Sequence, residues 1–197
     1  ERFWARIAEG TGLPLDPSSA SVGEIDSSAS PSITAVGRTP IVLDAAAGVV
    51  TTPGGFRTPV ANAADAVLQQ PSATSTDVAL ATPGALVTVP LDGGEPVSTD
   101  AGAEGNPATP VSLRGCFYGA WSGSATFIRE CPGDASDVNE TIEGAENAAS
   151  LTFRVNRDVI ILNDVVDGSA WLADESLQQV DNWNDLTPPE GETENED

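Results

Sequence analysis

The chain has 197 residues, and its 30 acidic residues against 8 basic ones give a net charge of −22, with no histidine. So acidic a surface offers no footprint for a phosphate backbone and argues against nucleic-acid binding. Without imidazole, and with only two cysteines, histidine chemistry and a zinc site are excluded. No apolar run approaches the roughly 18 residues of a membrane span, so membrane insertion by this segment is not expected. Methionine is absent, even at position 1, which reads as a mature product or an excised piece, with no signal peptide left. Glycine (19) and proline (15) are abundant but aperiodic, which is not collagen. Apolar residues make up 40% and aromatics 5%, the composition of many short strands and turns.

At the N-terminus, Phe3–Ala8 is the nearest approach to a helical pattern, but the alternation of Phe3, Ala5 and Ile7 fits a strand equally well. Residues 11–31 are rich in Ser, Pro, Asp and Gly and read as loop, with one short strand at Ser21–Ile25. From there the chain repeats. Val36–Asp44 (VGRTPIVLD) and Val155–Asn163 (VNRDVIILN) share four of nine residues at an offset of 119. Two further apolar runs, Val78–Ala81 and Phe117–Trp121, lie between them. Anchored at Ile41, Val78, Phe117 and Ile160, the spacings are 37, 39 and 43 residues. A strand-built period near 40 is a signature of propeller blades.

Each unit follows one grammar. A first strand (Ile33–Val36, Val67–Gln70, Val111–Arg114 or Leu151–Arg154) precedes the anchor strand, and a glycine turn follows at Gly48, Gly84, Gly123 or Gly168. A third strand comes next (Val49–Thr51, Ala85–Val89, Ala125–Ile128 or Ser169–Leu172), and a more polar outer segment closes the unit. The expected fold is all-β: a partial β-propeller of about four antiparallel four-stranded blades, an open arc of a larger ring. The alternative is a set of Ig-like β-sandwiches, which also place a strand every 8–12 residues or so. Residues 92–109 and 134–149 each read as a surface loop or as an outer strand with a ragged edge. The domain is expected over residues 1–186. Residues 187–197 (TPPEGETENED) form an acidic linker or disordered tail.

Cys116 and Cys131 are equidistant from the Gly123–Ser124 dipeptide. A two-residue type II′ turn there sets them directly opposite each other, and strict alternation makes them a hydrogen-bonded pair unless a bulge or one-residue shift intervenes. We expect a disulfide, worth roughly 3 kcal/mol in the chain-entropy model, and an oxidising, extracytoplasmic compartment.

No convergent catalytic set stands out. Asp158, Asp164, Asp167, Asp174 and Glu175 cluster in sequence, as do Asp181 and Asp185, but no spacing among them argues for a glycosidase pair over solvated loops. Asp164–Gly168 lacks the alternating oxygen ligands of a calcium loop and reads as an Asp-rich turn. Asp167–Trp171 (DGSAW) looks like a degenerate Asp-box hairpin, and Asn139-Glu140-Thr141 is a glycosylation sequon without evident consequence. Trp121, Trp171 and Phe127, at matching strand positions, are expected to pack between blades, with Trp183 capping the last one. No cofactor, metal or catalytic residue is expected.

The runs VGRTPIVLDAAAGVVTTPGG, VLQQPS, LVTVPLDGGEPV, GCFYGAWSG…REC and NRDVIILNDVVDGSAWL…VDNWNDL together resemble the N-terminal propeller-like region of large actinobacterial surface proteins containing Ig-like or fibronectin type III domains. The resemblance covers about residues 33–186, and residues 1–32 match less clearly. It implies a secreted or cell-surface anchored chain that continues through an acidic linker into Ig-like or fibronectin-like repeats. The role it implies is adhesion, envelope organisation or host interaction; the repeat, the cysteine geometry and the absence of a convergent catalytic set point to a non-enzymatic extracellular interaction or scaffolding module, with a protein or envelope component as partner. The alternative is an enzymatic propeller of lactonase, quinoprotein or glycan-processing type, its site completed by further blades.

Overall fold

A computed structural model describes residues 2–7, 18–24, 31–52, 55–131, 133, 137–145, 150–173 and 176–180. All regular structure among them is β. Strands β1 (Arg2–Ile7) and β2 (Ser18–Glu24) form an antiparallel hairpin with a register shift between Arg2 and Trp4. Phe3–Ile7 is thus strand rather than helix, and the second strand begins three residues before the expected Ser21.

Four antiparallel sheets follow. The first is β3 (Ser32–Val36), β4 (Thr39–Asp44), β5 (Val49–Thr51) and β6 (Arg57–Pro59); the second is β7 (Val67–Leu68), β8 (Asp77–Thr82), β9 (Ala85–Pro90) and β10 (Val97–Asp100). In the third, β11 (Asn106–Pro107) and β12 (Val111–Leu113) share one edge of β13 (Cys116–Ser122), followed by β14 (Thr126–Glu130) and β15 (Val138–Thr141). The fourth is β16 (Leu151–Asn156), β17 (Val159–Asp164), β18 (Ala170–Ala173) and β19 (Leu177–Gln179). Apart from the added β11, strands run through each sheet in sequence order. The polar stretches 92–109 and 134–149 contain β10, β11 and β15, so of the two readings the outer strand is the one found, with β10 and β15 at sheet edges. The described sheets form no closed ring.

Three separate cores lie between consecutive sheets. Ile41, Leu43 and Val50 meet Val78, Leu80, Val87 and Val89. Ala79, Ala81 and Leu86 meet Phe117, Trp121 and Ile128. Tyr118, Ala120 and Phe127 meet Phe153, Ile160, Leu162 and Trp171. Alternating residues of β8 therefore enter different cores, as period-two geometry requires of a strand buried on both faces. In a sandwich each sheet turns one face to a single shared core; here both middle sheets are covered on both sides.

The internal repeat runs one residue away from the identity match. Val36 pairs with Thr39 across the Gly37–Arg38 turn, and Asn156 pairs with Val159 across Arg157–Asp158. The first and fourth sheets thus correspond at 120 residues, which also sets Asp44 on Asp164 and Gly48 on Gly168. A one-residue slip turns every side chain to the opposite face. Ile41 faces the next sheet in the series, whereas Ile160 faces the preceding one; the counterpart of Ile41 is Ile161.

Asp44 and Asp164 each brace the four-residue turn that follows, though through different amides. Both are buried at the end of a second strand. Asp44 Oδ1 accepts from Ala47 N at 2.9 Å, and Asp164 Oδ1 accepts from Val166 N at 2.9 Å. In the second sheet Thr82 takes this position, and its hydroxyl donates to Ala85 O at 3.3 Å.

Candidate functional site

The sheets are joined along their first strands. Gly37 N donates to Ser72 O at 2.9 Å, and Ser72 N donates to Ala35 O at 3.0 Å. Gln70 N donates to Pro110 O at 2.8 Å, and Gln70 Nε2 reaches Phe153 O at 3.1 Å. One glutamine of the second sheet thereby ties the third and fourth. Its neighbour Gln69, only 2% exposed, fixes the loop that carries it: Oε1 accepts from Ala79 N at 2.6 Å and Nε2 donates to Ser72 Oγ at 2.9 Å. Gly37 belongs to the same contact. Its φ is +58°, and a Cβ there would lie 2.6 Å from Thr74 Oγ1, so only glycine lets the first sheet's turn approach this loop.

Beside this seam lies a groove of about 710 Å³, walled by the loop from Gln70 to Ser75, by β12 and its turn, and by the Val155–Arg157 end of β16. Its lining contains Arg114 and Arg157 and no carboxylate. Both arginines hold positive φ, 53° and 54°, an uncommon conformation for a residue with a Cβ. Arg114 forms an ion pair with Asp158 at 3.3 Å, with side chains 63% and 72% exposed. Arg157 has no ion-pair partner among the described residues. A second concavity of about 810 Å³ lies between the 62–65, 82–85 and 98–104 segments and carries Asp65, Asp100 and Glu104. Sequence reasoning missed both hollows, since neither follows from spacing along the chain. The dipeptide Gln69-Gln70 before Pro71 is the one local sign of the seam.

The expected disulfide is present: Cys116 and Cys131 are bonded at 2.03 Å. The β13–β14 register is the expected one, with Trp121 opposite Thr126 and Phe117 opposite Glu130. The turn differs. Gly123 (φ +88°) and Ala125 (φ +51°) both take left-handed conformations, so the reversal is not a two-residue type II′ turn. This changes the alternation. Ala120 O accepts from Ala108 N at 2.8 Å, so Ala120 directs its hydrogen-bonding groups away from β14. Ala120–Phe127, and with it Cys116–Cys131, are non-hydrogen-bonded pairs. The Cα separation of 4.2 Å fits that closer pairing. Cys131 N donates instead to Asp137 Oδ1 at 2.8 Å.

The acidic candidates scatter. Asp158 pairs with Arg114, Asp164 braces its turn, and Asp167 Oδ1 accepts from Ser169 N at 2.7 Å. Among the described residues, no three His, Cys, Asp or Glu side chains gather as a metal site. Asp174, Glu175, Asp181, Asp185, Trp183 and the 187–197 segment lie outside the described residues. Asn139 of the sequon donates from Nδ2 to Asp100 O at 2.9 Å, joining the outer strands of the second and third sheets. Trp121, Trp171 and Phe127 do pack between sheets. Phe127 and Trp171 are each the second residue of the strand after the anchor strand, β14 and β18, whereas Trp121 is on the anchor strand β13 itself, one residue before its end. Both indoles donate to a carbonyl of the preceding sheet's segment: Trp121 Nε1 to Thr82 O at 2.7 Å and Trp171 Nε1 to Glu143 O at 2.9 Å.

The chain matches no protein-family model and none of the curated proteins.

Proposed function

We propose that this chain is a non-enzymatic interaction or scaffolding module that works outside the cytoplasm, folded as an open arc of a β-propeller. The observation that carries the reading is the serial stack. Four meander sheets each pack on the next, and their first strands are tied along one seam through Ser72 and Gln70. Sheets stacked in this way around their first strands are how blades surround an axis. The disulfide fits an oxidising, extracytoplasmic compartment. The resemblance to actinobacterial surface proteins with Ig-like or fibronectin type III repeats supports a secreted or anchored chain and an envelope component or protein as partner.

The two ends of the stack motivate the arc. On the first sheet Val42, which points away from the second sheet, is 1% exposed, and β2 lies against β4. On the fourth sheet, Ile161 and Leu172 point away from the third sheet and are only partly buried. A further sheet in the whole protein would cover them. Radical footprinting tests this: Ile161 and Leu172 should label less in the whole protein than in this chain alone. Equal labelling would refute the arc. The location is tested by a membrane-impermeant thiol trap on intact producing cells. Cys116 and Cys131 should react only after an external reductant is added, and a reduced intracellular pool would contradict the assignment.

A further inference from the structure

We infer that the groove between the Gln70–Ser75 loop and the β12–β13 and β16–β17 turns binds a carboxylate group carried on an otherwise uncharged ligand. The inference rests on reading the chain as an interaction module, but its test does not involve the open face of the fourth sheet. A groove that fails to bind would leave the arc untouched, and a closed or differently built fold would leave the groove to be judged on its own titration.

The argument begins with charge. In a chain of 30 acids and 8 arginines, the groove has two arginines and no carboxylate in its lining. The other large hollow has three carboxylates, Asp65, Asp100 and Glu104, and no arginine. Guanidinium groups present paired donors that match the two oxygens of a carboxylate. Arg157 has no ion-pair partner among the described residues. Arg114 holds Asp158 in an exposed pair whose carboxylate is outside the lining, so a ligand oxygen can take its place. Both arginines stand on left-handed backbone at the groove's rim, and such outliers concentrate where a side chain must be aimed.

The rest of the lining sets the ligand's character. Ser112 adds a hydroxyl, that of Ser72 being engaged with Gln69 Nε2 and Ala73 O, while Val111, Leu113 and Val155 provide an apolar wall. The net charge of −22 repels each negative charge a ligand brings, over a Debye length of about 8 Å. One carboxylate on a neutral body therefore suits the groove better than a polyanion. A peptide C-terminus and a uronic acid both offer that chemistry.

The test is a titration of the ¹⁵N-labelled chain with two such probes, N-acetyl-alanine and glucuronate, beside their uncharged twins, N-acetyl-alanine amide and glucose. Both carboxylates should shift the Ser72, Ser112 and Arg157 amides, with the stronger one naming the source, and the uncharged twins should bind at least about tenfold more weakly. Arg157→Asn keeps a residue that tolerates positive φ and should weaken binding about tenfold. Arg114→Gly suits its turn and should do likewise. Arg57→Gln, on β6 outside the groove, should change nothing, and dispersed spectra of all three certify the fold. Absent shifts, equal binding of charged and uncharged twins, tighter binding of inorganic phosphate, or arginine variants that bind normally would each overturn the inference.

Discussion

The junction between the second and third sheets and the outer face of the fourth use equivalent strand positions under different cover. Ala79 and Ala81 on β8 face the third sheet and are fully buried against Phe117, Trp121 and Ile128. The corresponding Ile161 and Asn163 on β17 face outward and are partly exposed. At this junction the chain uses small residues and a tryptophan anchored to a carbonyl across the gap. Ile41, fully buried under the second sheet, and its counterpart Ile161, partly exposed, show that the same residue is covered only where a neighbour sits. Burial in this fold is thus a property of the pair of sheets and not of either sheet alone.

The largest expected effect lies in that covered junction. Trp121 is fully buried and its indole donates to Thr82 O. Trp121→Ala should cost about 3–5 kcal/mol of unfolding free energy in denaturant titrations. Leu172→Ala, on the outer face, should cost below about 1 kcal/mol, since less of the side chain leaves water. Similar losses for the two would break the comparison.

Next comes the tie at the far end of β13 and β14. Replacing both cysteines, C116S with C131S, opens a loop of 15 residues and should cost roughly 3 kcal/mol. Thermal melts with and without reductant check this: reductant should lower Tm of the parent chain and leave the double variant unmoved.

Asp164→Ala and Asp44→Ala should each cost roughly 1 kcal/mol by releasing the amide that braces the turn. If the 120-residue correspondence is correct, the two losses are alike, which equilibrium unfolding of the pair measures. A loss confined to one would mean that the turns resemble each other only in outline.

That correspondence also marks what was legible in the sequence. Strand order, the glycine turns at Gly48 and Gly168 and the Cys116–Cys131 pairing all follow from local pattern, because turn residues and alternation act over a few positions. The offset of 119 did not survive because identity aligns residue types while the ladder aligns faces. It set Arg38 on Arg157, although Arg157 does the left-handed work of Gly37. The polar strands β10, β11 and β15 fall in stretches that read as loop or ragged outer strand, because with little hydrophobic alternation only ladder bonds to a buried neighbour decide between the two. The groove was hidden for a simpler reason: Ser72, Arg114 and Arg157 come from three sheets, and only the seam at Gln70 brings them together.

The smallest effect has the opposite sign and tests the first junction. Thr34 lies opposite Ile41 on the face toward the second sheet, and Thr52 follows the end of β5. They are 5% and 3% exposed, and neither hydroxyl has a hydrogen-bond partner among the described residues. A buried hydroxyl without a partner forfeits its hydration and gains nothing in return. Valine keeps nearly the same shape without that penalty, so Thr34→Val and Thr52→Val should each stabilise by up to about 1 kcal/mol. Thr82→Val removes a hydroxyl that donates to Ala85 O and should destabilise by a similar amount. Denaturant midpoints for the three variants decide the matter. If all three shift in the same direction, pairing of the hydroxyl is not what separates them, and the first junction is solvated where its packing says it is dry.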